Sequence, residues 1–223
     1  MPAPRKYDID PPVLDPDGIA ENQTSVGAGN LTLNGALCDL GTAAQFDIED
    51  AYGSAIKGVI LEFDSAGDIS GITFTITGED EYGTAQTETV TGVTTTAVST
   101  TKYWSAVRTI ASDGAIGSNV FVGTAVGGLV TTAVPLNRYN DDGCVVAVGG
   151  LTGTCQYDVD ITYDDIQGAG FSASTVWITH TSNASANNAG ITLPAGATGV
   201  RLKLDSYSDG AELQFYVADQ PYR

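Results

Sequence analysis

An all-β fold is what this sequence predicts: two tandem antiparallel β-sandwich-like domains, residues 29–125 and 126–223, behind an extended N-terminal arm, residues 1–28. Three observations carry that expectation. Short alternations of apolar and polar residues recur from Asn30 to Val217, the mark of half-buried strands. Glycine is abundant, and Asn34-Gly35, Tyr82-Gly83 and Asp113-Gly114 supply turn chemistry between the alternating runs. No stretch keeps a helical period long enough for a substantial helix, although short turns fit near 41–52 and 164–169.

Five of the eight prolines, Pro2, Pro4, Pro11, Pro12 and Pro16, fall in residues 1–28. Proline fixes φ and donates no hydrogen bond, so this stretch predicts neither a helix nor a central strand. Tyr7, Ile9, Val13, Leu14 and Ile19 are spaced through it, and apolar residues on an extended arm need a surface to lie on. These five are the candidate assembly contacts, through which the arm would attach to a neighbouring subunit.

The first sandwich is expected to use strands at Asn30–Leu33, Gly58–Phe63, Ile72–Thr77, Thr87–Thr91, Thr94–Ser99 and Trp104–Ile110. In Ile72-Thr73-Phe74-Thr75-Ile76-Thr77 the apolar residues share one face and the threonines the other, which suits a β-branched polar side chain. The chain loosens to Gly-Thr-Ala-Val-Gly-Gly at 123–128, where the domain boundary is placed. Beyond it, strands are expected at Leu129–Val134, Cys144–Val148, Thr154–Tyr163, Thr175–Thr179, Val200–Ser206 and Glu212–Val217. The turn Tyr207-Ser208-Asp209-Gly210 would join the last two as a hairpin. The small polar run 181–190 reads as an exposed loop.

Net charge is −18, from 27 acidic and nine basic residues, which repels nucleic acid. No apolar run is long enough to span a bilayer as a helix, and no apolar stretch follows Arg5 and Lys6 as a secretory leader would require. A cytoplasmic site of folding is therefore expected, with no membrane partner. Three cysteines, Cys38, Cys144 and Cys155, then read as reduced thiols; Cys144 and Cys155 flank Gly149-Gly150 and would face each other across a hairpin. The sequons at Asn22, Asn30 and Asn183 carry no meaning without secretion.

Catalytic chemistry is sparse. Any Ser-His or Cys-His nucleophile system would pass through His180, the one histidine, which reads as a strand-end surface residue. Neither zinc spacing nor a phosphate-binding glycine motif occurs. Asp158 and Asp160 share one strand face, with Asp164 and Asp165 following and Asp141-Asp142 nearby; they read as a solvated acidic face rather than a calcium site. Glu79-Asp80-Glu81 reads as a solvated hairpin tip. A glycosidase carboxylate pair remains open in principle, but such a cleft uses several aromatics and only 8% of this chain is aromatic. The expectation is a non-enzyme with no catalytic residue, cofactor or metal.

Several phrases look familiar together. They are Asp15-Pro16-Asp17-Gly18-Ile19-Ala20, Asn30-Leu31-Thr32-Leu33-Asn34-Gly35-Ala36-Leu37, the run from Ser65 to Gly78, Glu88-Thr89-Val90-Thr91-Gly92, Thr100-Thr101-Lys102-Tyr103-Trp104, and Gly199 to Tyr207. Together they resemble small structural proteins of tailed bacteriophages and prophages. The resemblance implies a virion component made in the host bacterial cytoplasm. It would be a capsid decoration protein, a short tail fibre or an adaptor-like tail piece. Its partners would be other virion proteins, whether capsid, portal-tail or fibre subunits. A homo-oligomer is expected, a trimer favoured over a monomer. The competing expectation is a carbohydrate- or receptor-binding β-sandwich module, for which Tyr103-Trp104 and Trp177 are the candidate aromatics. A glycan-degrading enzyme is the third reading.

Overall fold

The computed structural model describes residues 4–40, 45–94, 96–137, 144–166, 170–184 and 188–219. The first part of the chain gives β1 (Arg5–Ile9), β2 (Ala20–Ser25), β3 (Gly29–Asn30), β4 (Cys38–Asp39), β5 (Gln45–Asp47), the one-turn helix α1 (Ile48–Tyr52), β6 (Ile56–Ser65), β7 (Thr73–Glu79), β8 (Ala85–Thr91) and β9 (Val98–Ser99). There follow β10 (Ala106–Ser112), β11 (Ile116–Thr131), β12 (Val134–Pro135), β13 (Cys144–Thr152), β14 (Cys155–Thr162), β15 (Ile178–Ala184), β16 (Asn188–Thr192), β17 (Gly199–Tyr207) and β18 (Glu212–Asp219). The fold is all-β, built from antiparallel sheets of β-sandwich type.

The chain divides into two compact units. One holds Met1–Val13, Ser54–Ile56 and Val130–Arg223; the other holds Leu14–Gly53 and Lys57–Leu129. The units are interleaved along the chain rather than strictly tandem. β11 runs unbroken through the glycine-rich stretch 123–128 where a boundary was expected, and the division falls at Leu129/Val130. Those glycines serve close packing. A Cβ on Gly128 would stand 2.4 Å from the Ile60 side chain, and one on Gly123 would stand 1.9 Å from the Asp15 carbonyl oxygen.

In the unit containing the C-terminal half, one sheet has the order β1-β18-β13-β16. Facing strands β14, β15 and β17 pair side by side, with β12 also on β17. Alternation puts Leu213, Phe215 and Val217 of β18 inward, together with Val146 and Val148 of β13. Tyr157, Val159 and Ile161 of β14 and Val200, Leu202 and Leu204 of β17 are buried likewise. The expected 207–210 hairpin is a turn between sheets: β17 pairs with β14, whereas β18 pairs with β1 and β13. The β13–β14 connection also crosses between sheets. The two crossings are tied together by the Ser208 N–H donating to Thr154 O at 2.9 Å and the Thr154 N–H donating to Ser208 Oγ at 3.1 Å.

The other unit holds a sheet of order β4-β5-β10-β7-β8, with β3 also on β10. It also holds β2 on β11 and β9 on β6. Its core includes Phe46, Phe63, Phe74, Ile76, Trp104 and Ile110, and the Phe63 and Phe74 rings lie 5.1 Å apart. The expected 30–33 strand is shorter, reaching the ladder only at Gly29–Asn30, yet Leu31 and Leu33 are buried as its alternation requires.

The N-terminal stretch departs most from expectation. Residues 5–9 form the edge strand β1, in register with β18 from Arg5↔Val217 to Ile9↔Leu213. Proline permits this because none lies between Arg5 and Ile9, and Pro11-Pro12 follow the strand at once. Residues 14–25 pass into the other unit. There the Ile19 N–H donates to Val122 O at 2.9 Å, and β2 pairs with β11. Gly35 lets the chain lie against itself, since a Cβ there would be 2.1 Å from the Gly18 carbonyl carbon. The 181–190 stretch read as a loop instead contains the end of β15 and the start of β16, with 185–187 outside the described residues.

Candidate functional site

The acidic strand face is the site the sequence singled out most clearly, and the structure changes its character. β14 is buried on both faces. Antiparallel register sets Asp158 opposite Lys203 and Asp160 opposite Arg201 on β17. The Lys203 Nζ lies 3.2 Å from Asp158 Oδ2, and Arg201 Nε lies 3.5 Å from Asp160 Oδ2. Asp160 is 3% exposed and Arg201 6%, so this pair is desolvated. The Thr179 hydroxyl adds a hydrogen bond to Asp160 Oδ1 at 2.9 Å.

A cover explains the burial. The Arg201 guanidinium lies 4.4 Å from the centre of the Trp177 ring, a cation–π contact, and Trp177 lies against Phe171 at 5.5 Å. Phe171 in turn sits on Gly199, where a Cβ would come within 2.4 Å of its ring. The expectation of a solvated acidic face is thus corrected for Asp158 and Asp160. Two cations stand two residues apart on the neighbouring strand, and an aromatic segment roofs one of them. Asp164 is used locally: its Oδ2 accepts from the Val176 N–H. Asp141 and Asp142 lie outside the described residues, and no acidic, histidine and cysteine group capable of holding a metal occurs among the described residues.

The hairpin tip at 79–81 is real, but Asp80 is not solvated. It is 6% exposed, and its Oδ1 accepts from the Tyr82 and Thr84 N–H groups, each at 2.8 Å. Beside it is a polar cleft of about 400 Å³ lined by Asp47, Glu49, Lys57, Glu79, Tyr82 and Ser105 among others. Its groups hold the fold. Arg108 donates to Glu79 at 3.0 Å and lies 4.0 Å from Asp47; Lys57 pairs with Glu49; the Ser105 hydroxyl donates to Asp80 O. Asp47 also caps α1, accepting from the Glu49 N–H at 3.1 Å. Lys57 holds the Glu49 carboxyl below its ordinary value.

Sequence reasoning missed one cluster. Where residues 14–19 cross β11, Thr124 N donates to Asp15 O at 3.0 Å. Burial first, and then contact with Asp17, raises the Asp15 carboxyl above its ordinary range. Burial also raises the nearby Tyr52 hydroxyl. The Asp15-Pro16-Asp17 spacing is visible in the sequence, but its partners are more than 30 residues away.

The five candidate assembly contacts do not come together. Ile9 is 2% exposed and Ile19 fully buried, each within its own unit, so neither is available to a neighbouring subunit in this fold. Tyr7 is half-buried with its ring 6.4 Å from Phe215, and Leu14 is half-buried. Val13 alone is exposed. Of the candidate aromatics, Trp104 is fully buried and Trp177 is stacked on Arg201. His180 is in β15, with Nε2 3.2 Å from Thr192 O.

All three cysteines are free thiols. Cys144 opens β13 opposite Asp219, whereas Cys155 opens β14 opposite Tyr207, so they do not face each other across a hairpin. Burial pushes the Cys155 thiol up to about 12 and that of Cys38 to about 11, which favours the protonated thiol in both at neutral pH. Comparison with protein families, with curated proteins and with solved structures gives no match.

Proposed function

We propose that this chain is a non-enzymatic structural component of a tailed-phage particle, present in multiple copies on the exterior of the capsid or tail. The observation that carries the reading is the use made of its ionisable groups. The carboxylates best placed for chemistry hold strands together: Asp160 and Asp158 through Arg201 and Lys203, Glu79 through Arg108, Asp80 through its own turn. A protein that commits its buried charge to cross-strand contacts is suited to a static role. Its net charge of −18 favours an aqueous exterior over contact with packaged DNA. The strand phrases that resemble phage structural proteins, including 72–77 and 199–207, are the ladder segments β7 and β17.

Attachment through an N-terminal arm receives a narrower form. Residues 5–9 and 19–25 serve their own fold, so attachment falls to other surfaces, with Val13 the one exposed apolar contact of the five. The glycan-binding alternative loses Trp104, which is fully buried. Quantitative mass spectrometry of gradient-purified particles tests the reading. The chain should co-purify at a fixed copy number with the major shell protein, and its absence from intact particles would refute it.

A further inference from the structure

From residue 166 to residue 200 the chain carries no Asp, Glu, Lys or Arg, a run of 35 residues in a chain of net charge −18. The other long charge-free run, 114–137, builds β11, whose Val120, Val122 and Val130 are fully buried, so its lack of charge follows from core packing. The run 166–200 is different. Its later part forms β16 and packs inward at Ile191, Leu193 and Val200, but its earlier part builds β15, which among the described residues pairs on one side only, with β14. Beside that edge, Val176 is 61%, Ile178 50% and Tyr163 48% exposed.

An unpaired strand edge is a template for further pairing, and proteins normally guard it with charge, proline or brevity. Most other edges of this molecule are guarded: β1 carries Arg5, Lys6 and Asp8, β8 carries Glu88, and β4 and β9 have two residues each; β16, an edge in the same charge-free run, is also bare but has only five residues. β15 has seven residues, none charged and none proline; its one irregularity is a register shift at His180.

We propose that β15 is the contact between two copies of this chain, set antiparallel edge to edge about a two-fold axis. The charge distribution selects a second copy as the occupant. Two chains of −18 repel across most of their surfaces, so like copies can approach closely only where charge is missing, whereas a basic partner would favour the acidic surfaces instead. An antiparallel edge contact is self-complementary and closes after two copies, so the repeating unit is a dimer rather than the trimer expected from the sequence. The proposal rests on the multi-copy part of the structural reading above.

Sedimentation equilibrium of the full chain tests it. The expected mass is twice 23.0 kDa. Ile178→Lys should return it to the single-chain mass while keeping a cooperative melt, and Val26→Lys, at the most exposed apolar residue of the other unit, should leave the dimer intact. If Ile178→Lys does not melt cooperatively, Val176→Lys, which lies outside the strand, gives the same reading. A single-chain mass for the parent protein at about 100 µM, where even a weak interface is populated, overturns the proposal. So does a three-copy mass, or a dimer that survives both edge substitutions. Such a failure leaves the particle reading standing, because that reading is decided on purified particles.

Discussion

At the scale of the residue, Asp160 and Arg201 decide how the outer face of β14 behaves. A desolvated pair is costly to form but costlier to break, since removing one partner strands a buried charge. Arg201→Ala should therefore destabilise the protein by about 3–5 kcal/mol in urea denaturation, more than the exposed-side Lys203→Ala. Replacing both Asp160 and Arg201 by apolar residues of similar size should recover most of that loss. Asp15 behaves in the opposite sense. Its folded carboxyl is raised, so its contribution is complete below the unfolded value and is lost as pH rises through the folded one. Asp15→Asn should be more stable than the parent at pH 7 and equal to it near about pH 3, as read from melting temperatures across pH. The period-two pattern made Asp158 and Asp160 legible as sharing a face. The roof of Trp177 and Phe171 was not legible, because nothing in the pattern of 171–177 says which face that segment covers.

At the scale of the element, the stretch before residue 28 is the clearest lesson. Proline content marks it as irregular; yet five of the six residues between Pro4 and Pro11-Pro12 form β1, and 20–25 form β2. The alternation in Arg5-Lys6-Tyr7-Asp8-Ile9 is too short to distinguish an edge strand from an arm. The proline count of residues 1–28 points the other way. Deleting residues 1–28 should now abolish cooperative melting, because it removes Ile9, Ile19 and Ala20 from their cores; a truncated protein that melts as the parent does would restore the free arm. Glycine also points two ways at 123–128, where the sequence suggests a domain boundary and Gly123 and Gly128 instead give close approach inside a strand. Gly123→Ala should cost about 3 kcal/mol or more, since its Cβ would meet backbone, whereas Gly117→Ala, with nothing within 4 Å, should change stability little.

At the scale of the whole molecule, composition and periodicity were enough for the all-β class. The high glycine content and the recurring short alternations leave no room for another. They were not enough for the interleaving of the two units, which depends on pairings such as β1 with β18 more than 200 residues apart. The proposed function lies at the same remove, since it is argued from how charges are used, and that use is set by long-range register. The central claim is that this is an exterior structural part of a particle. The most direct test is electron microscopy of intact, purified particles labelled with gold-conjugated antibody against the folded chain. The account predicts regular gold on the outside of the capsid or tail of undamaged particles. Label that appears only after the particles are broken open, or that never associates with particles, would contradict it.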